Sequence, residues 1–196
     1  HAVIKSKTKS GKNVFAAVVA EYDAKSKEFM DNLESINRYF AQQYQLEYAD
    51  LPELEARDNA VICLSKAEWV RCLVSYAVGC IFGRYSLDKQ GTICTNKQLN
   101  ETDYRSFMPD MDNCILVTDE EYFEDDIVGQ LCSWLCVVYG KQNLGANLDF
   151  IADALGGKGT TSKEVIRNYF LNDFFKDHCA MYSVTGTGKR PIYWLF

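Results

Sequence analysis

From Val14 to about Tyr44 the chain contains neither glycine nor proline, and Val14, Val18, Tyr22, Phe29, Leu33, Ile36 and Phe40 recur mostly three, four or seven residues apart. A period near 3.6 puts these side chains on one face of a helix, so the stretch predicts one long amphipathic helix or two in line. Glu21, Lys25, Lys27, Glu28, Asp31, Glu34 and Arg38 fall on the opposite, solvated face. The polar run QLEYADLPELEARDN then breaks the pattern, with Pro52 and Asn59 as turn residues.

Three later segments share one start signal, a hydroxyl residue three positions before a glutamate: Ser65 with Glu68, Thr118 with Glu121, and Thr161 with Glu164. In a capping box the hydroxyl accepts from the third helical N–H while the carboxylate reaches back to the cap's own N–H. These signals predict helices over residues 66–85, 119–139 (with room for a break before Glu124) and 162–182. Between the last two, NLGANLDFIADALGG reads as a shorter helix stopped by Gly156 and Gly157. Strand signals are few and short, at 60–64, 91–95 and 114–117, where Val, Ile and Cys gather. The expected class is mainly α, a helical domain with a long N-terminal helix and a few short strands. Its expected divisions are a basic linker or tag remnant at 1–12, the long helix and its connecting loop at 13–59, and a helical domain at 60–196.

Composition excludes several classes. A chain of 196 residues with 47% hydrophobic and 24% charged side chains is ordinary for a globular fold, and no apolar run approaches the roughly 20 residues that a membrane helix needs. Nor does a signal-peptide pattern open it. The expected location is cytoplasmic. Of the eight cysteines, Cys63, Cys72, Cys80, Cys132, Cys136 and Cys179 lie in apolar or helix-like stretches and read as small hydrophobes in a reducing compartment. A closed zinc site needs four convergent ligands, whereas the only close cysteine pair is Cys132 with Cys136 and the only internal histidine is His178. Net charge is −6, but Lys5, Lys7, Lys9 and Lys12 crowd the start, which leaves 17 basic against 27 acidic residues from position 13 onward. A segment that wrapped DNA alone is expected to show the opposite balance.

No motif supplies catalysis on its own. VTGTGKR, residues 184–190, lacks the first glycine and the closing hydroxyl of a phosphate-binding loop, and Pro191 opposes the helix that should follow. It reads as a flexible basic turn, or alternatively as a contact of Lys189 and Arg190 with nucleic-acid phosphates. Asp119, Glu120, Glu121, Glu124, Asp125 and Asp126 lack the spacing and central glycine of a calcium loop, and suit a helix start instead. His178 and Cys179 are adjacent, hence about 100 degrees apart on a helix, too divergent for one to activate the other. There is no GxSxG and no HExxH. In SYAVGCIFGRYSLD, residues 75–88, Gly79 and Gly83 lie four apart on an expected helix, where each glycine costs about 1 kcal/mol relative to alanine. They suggest close approach of another backbone, either as tight packing or as a place where another domain or ligand presses in, with Arg84 and Tyr85 at the rim.

SYAVGCIFGRYSLD, followed in order by ILVTDEEYFEDDIVGQL, IRNYFLNDFFKDHCAMYS and KRPIYWLF, resembles a region of the PglX family of adenine-specific DNA methyltransferases from BREX phage-defence systems. It is similar, more distantly, to type IIG restriction and modification enzymes. The likeness is expected to cover residues 66–196, with the first sixty matching only in being helical. It implies transfer of a methyl group from S-adenosylmethionine to adenine N6 in double-stranded DNA after base flipping. The family's Asn-Pro-Pro-Tyr type tetrapeptide is absent, since Pro52, Pro109 and Pro191 are isolated. No catalytic, cofactor or metal residue is therefore carried over.

What remains is a non-catalytic helical segment, downstream of a catalytic core, that positions core and target-recognition region on DNA. The alternative is an interaction module that docks the methyltransferase to other phage-defence subunits through its acidic cluster. The site expectations are Lys189, Arg190 and Arg84 as DNA contacts, and Gly79, Gly83 and Tyr85 as packing against the remaining domains of the same polypeptide. The His1 start and the apolar RPIYWLF stop are read as cuts within a longer chain, with Tyr193, Trp194 and Phe196 expected to pack back on the helical body.

Overall fold

The computed structural model describes residues 10–47, 53–61, 63–93 and 101–181. They form six α-helices: α1 (Gly11–Gln43), α2 (Lys66–Ile81), α3 (Ile127–Tyr139), α4 (Leu144–Leu155), α5 (Ser162–Asn172) and α6 (Phe174–Met181). The mainly helical class is thus as expected. The chain divides into two compact units, one of Phe15–Ser65 and the other holding the remaining described residues.

The first unit is dominated by α1. The helix starts at Gly11, inside the stretch read as a linker, and runs unbroken as one element. Its outer face carries Lys25–Glu21 and Arg38–Glu34 pairs at i, i+4, whose contribution solvent screening keeps small. Val18, Tyr22, Phe29 and Leu33 are half-buried, whereas Ile36 and Phe40 are exposed. After the helix, Ala56–Asp58 form one 3-10 turn capped reciprocally by Glu55 and Asp58, and Asn59 Nδ2 donates to Ser26 Oγ.

The second unit is a helical cluster in which α2 packs on α3, α4 and α6, α3 also meets α4 and α5, and α4 and α5 lie side by side. Its core is built from Val70, Leu73, Val74, Ala77 and Ile81 of α2, Leu131, Trp134 and Leu135 of α3, Ile151 of α4 and Ile166 of α5. Burying each of the larger side chains contributes about 1.5–3 kcal/mol. The first turn of α1 belongs to this unit: Val14 is buried, and the Gly11 N–H donates to the buried Asn147 Oδ1 at 2.7 Å.

Four expectations are corrected. α2 ends at Ile81, because Gly83 turns into the left-handed region (φ 70°) and the N–H groups of Arg84 and Tyr85 both donate back to Gly79 O at 2.8 and 3.1 Å. The helix expected from Asp119 begins at Ile127, with Asp126 as its cap. The helix expected over 162–182 is split at Asp173, whose N–H closes α5 on Tyr169 O and whose carbonyl accepts from Asp177 N in α6. No strand forms among the described residues; Tyr85 and Thr92 make one isolated antiparallel bridge. The β-prone residues spend their backbone groups otherwise, Leu116 O accepting from Ile127 N and Val61 N donating to Asn59 Oδ1. Strand preference is realised only where a partner strand lies alongside.

The start signals fare unevenly. Thr161 does cap α5, accepting from Glu164 N at 3.2 Å, but the Glu164 carboxylate accepts from Thr160 N and Oγ1, one residue before the expected partner. Thr118 starts no helix. α4 ends at Leu155 with Gly156 in the left-handed conformation (φ 64°), as its pattern predicts.

Candidate functional site

Two polar constellations stand out against the apolar core. One surrounds the C-terminal end of α2. Only glycine fits at position 79 beside the Tyr85 ring, since a Cβ there would sit 2.4 Å from Tyr85 Cδ2. The partner pressed against Gly79 is thus a side chain six residues on, rather than another backbone. Tyr85 lies tilted against Tyr76, with ring centroids 5.2 Å apart, and Tyr76 meets the buried Trp134 edge-on at 6.0 Å. Gly83 lies beyond the helix rather than on its face, under Pro109, and its carbonyl accepts from the buried Tyr104 hydroxyl at 2.5 Å. Ile81 O accepts from Asp110 N at 2.8 Å, so residues 104–110 fold over the end of α2.

Arg84 emerges from this turn half-buried, its guanidinium 5.7 Å from the Tyr85 ring centroid. Its backbone is locked on both sides, by Gly79 O and by Ile93 N, which donates to Arg84 O at 2.9 Å. Across from it, His178 of α6 stacks on Phe174 at 5.1 Å and holds its Nδ1 2.9 Å from Ser75 Oγ of α2. Burial, and secondarily the charge of Arg84, keeps the His178 imidazole below its ordinary pKa. A Ser–His contact suggests nucleophilic catalysis, but Ser75 is buried within α2, which leaves a substrate carbonyl no approach to its Oγ. The contact ties α6 to α2, helped by Arg71, whose Nε lies 3.2 Å from an Asp177 carboxylate oxygen.

The second constellation is the start of α3. Asp126 is fully buried; its Oδ1 accepts from Gly129 N at 2.8 Å, and its Oδ2 pairs with Arg167 Nη1 of α5 at 2.5 Å. Arg167, also buried, donates to Thr118 O and Oγ1, each at 3.1 Å. A Cβ on Gly129 would stand 1.9 Å from Glu124 O, so only glycine lets the chain turn back over the helix start. Sequence reading counted Asp126 among six equivalent carboxylates and passed over Arg167. The available signal was the Asp-x-x-Gly spacing, in which a cap residue precedes by three a position without a side chain.

Of the site residues expected from sequence, Gly79, Gly83, Arg84 and Tyr85 come together at the end of α2. Lys189, Arg190, Tyr193, Trp194 and Phe196 lie outside the described residues. Several of the larger unit's basic side chains face its own acids: Lys66 pairs with Asp153, Arg71 with Asp177, Lys89 with Asp103, Lys163 with Glu121 and Arg167 with Asp126. The cysteines are less uniform than expected, with Cys80 and Cys179 buried but Cys63, Cys72 and Cys114 exposed. Among the described residues no group of three or more His, Cys, Asp or Glu side chains could hold a metal ion, and no helix is long and apolar enough to cross a membrane.

Comparison with known proteins returns no matching family model. The chain is 39% identical over 179 residues to the adenine-specific methyltransferase PglX of Lacticaseibacillus casei (strain Zhang), a match covering 90% of this chain and 14% of that protein. It is 38% identical over 144 residues to the adenine-specific methyltransferase BrxX of Escherichia coli O9:H4 (strain HS), covering 67% of this chain and 12% of that protein. The chain therefore spans about one seventh or less of the length of these curated relatives. The longer match cannot fit between Lys66 and Phe196, so the likeness reaches back into the residues before Lys66, contrary to the sequence expectation.

Proposed function

From a chain that is a relative of the adenine-specific methyltransferases PglX and BrxX along a fraction of their length, we propose that it is a non-catalytic segment holding the catalytic core and target-recognition region of such an enzyme in register on double-stranded DNA. The observation that carries this reading is the long match to named adenine-specific methyltransferases by a sequence without an Asn-Pro-Pro-Tyr type motif.

S-adenosylmethionine would supply the methyl group in the whole enzyme. Three of the glycines packed at the two polar constellations do not suit it. Gly79 is filled by Tyr85, Gly83 by Pro109 and Gly129 by the Glu124 carbonyl, so these glycines leave no backbone cradle for a nucleotide. No step of methyl transfer is routed through them. The role is mechanical. Packed helices with a buried ion pair make a stiff body, and stiffness is what keeps a reacting base and a distant recognition element at fixed separation. Within this reading 13–59 and 60–196 act as separate parts, and Lys189, Arg190 and Arg84 are the residues offered to DNA phosphates.

Isothermal titration tests the division of labour. S-adenosylmethionine added to this chain is expected to give no binding heat, and the chain alone is expected to leave adenine in duplex DNA unmethylated. Binding, or methylation by the isolated chain, overturns the reading. In the whole enzyme, reversing Lys189 and Arg190 to Glu is expected to weaken DNA binding and flatten its salt dependence, the logarithmic slope falling by about one for each phosphate left unneutralised.

A further inference from the structure

The loop from Thr118 to Asp126 is held at both feet. Arg167 Nη1 donates to Thr118 at one end and pairs with Asp126 at the other, while Thr118 Oγ1 donates to Glu120 O at 2.6 Å. The Asp126 foot is buried and the Thr118 foot half-buried, whereas the tip is exposed. Tyr122 is 60% and Phe123 51% exposed, and Leu116 and Val117, just before the first foot, are exposed as well. Around the two rings stand five carboxylates. Glu121 is matched by Lys163 at 2.8 Å, and Asp119, Glu120, Glu124 and Asp125 make no ion pair among the described residues.

Single exposed apolar side chains need no explanation, but adjacent aromatics on a tip anchored by a buried ion pair have the anatomy of a binding hot spot: rigid rings at the centre, charge at the rim. The rim selects the occupant. DNA is excluded because carboxylates repel phosphates. A second copy is disfavoured because the chain carries net charge −6 and its loop would face another acidic surface. What fits is an apolar pocket bordered by Lys and Arg.

Relatives carry this segment within much longer chains, of which it is 14% and 12%. A surface tethered in the same chain meets the loop at an effective concentration on the order of millimolar, well above a separate protein's. We propose that Tyr122 and Phe123 dock into an apolar pocket rimmed by Lys and Arg on another part of the same polypeptide, steered by Asp119, Glu120, Glu124 and Asp125. The inference rests on the reading that the segment works inside a longer methyltransferase.

The test uses the full-length polypeptide with Phe123→p-benzoylphenylalanine, a replacement at an exposed position. Irradiation followed by peptide mapping is expected to join position 123 to a Lys- and Arg-bearing peptide outside residues 1–196, in a product of single-chain mass. The same cross-link is expected to be lost in the Asp119→Lys, Glu120→Lys, Glu124→Lys, Asp125→Lys variant. Cross-links confined to 1–196, a product of doubled mass, attachment to DNA or to a separate protein, or a yield unmoved by charge reversal would each overturn the proposal. A cross-link to a separate protein sinks only this docking inference, whereas S-adenosylmethionine binding by the isolated chain sinks the functional reading and leaves the cross-link standing.

Discussion

At the scale of single residues, the buried pair of Asp126 and Arg167 dominates. Removing one member leaves the other charge buried and uncompensated, so Arg167→Met is expected to lower unfolding free energy by about 3–5 kcal/mol in urea titrations. Asp126→Asn combined with Arg167→Met should cost less than the two singles added, because the amide still caps Gly129 N while no charge is stranded. His178 gives a pH signature. Its folded pKa lies below the ordinary 6.5, so the unfolded chain binds the proton more readily. The stabilisation is complete above the unfolded pKa and is lost as pH falls through 6.5 toward the folded value. Urea midpoints of the chain should therefore fall on acidification through this window more steeply than those of His178→Gln.

At the scale of elements, helix ends decide the outcome. Gly156→Ala forces a Cβ into the left-handed region and is expected to cost about 1 kcal/mol by thermal denaturation. Gly129→Ala should cost about 2–3 kcal/mol or more, because the Glu124 carbonyl it strikes is backbone and cannot swing away. These ends also mark the limit of what was legible. The centres of α1, α2, α3 and α5 follow from apolar periodicity, which is local, and Gly156 announces its own stop. The start of α3 does not. Thr118 and Glu121 match a capping box as well as Thr161 and Glu164 do, yet Thr118 is drawn to Arg167, 49 positions away, and the helix waits for Asp126. A long-range charged hydrogen bond outweighs a local cap worth about 1 kcal/mol. The break at Asp173 was hidden for a similar reason, since α6 must turn to bring His178 to Ser75. Of the site, Gly79, Gly83, Arg84 and Tyr85 were visible as an unusual glycine spacing, but their partners, Tyr104 and Pro109, come from a loop whose path no periodicity encodes.

At the scale of the whole molecule, the thiols report which parts open together. Burial pushes the Cys80 thiol up to about 11, and Cys80 lies in the α2 core, so little thiolate forms and little reagent reaches it. Native iodoacetamide labelling followed by mass spectrometry should modify Cys63 and Cys114 and spare Cys80 and Cys179, which become reactive only at the urea concentration of global unfolding. Reaction of Cys80 below that midpoint would mean that α2 opens on its own.

Arg167 also sets a clock on the ribosome. It lies 49 residues beyond Thr118, and at about 5–20 residues per second some 2–10 s separate the emergence of the two. Until then the nascent α3 holds a carboxylate with no cation to neutralise it and an apolar face with no α5 to cover it. The larger unit therefore cannot close before Arg167 has emerged, and the chaperone-accessible interval lasts at least until this one guanidinium appears.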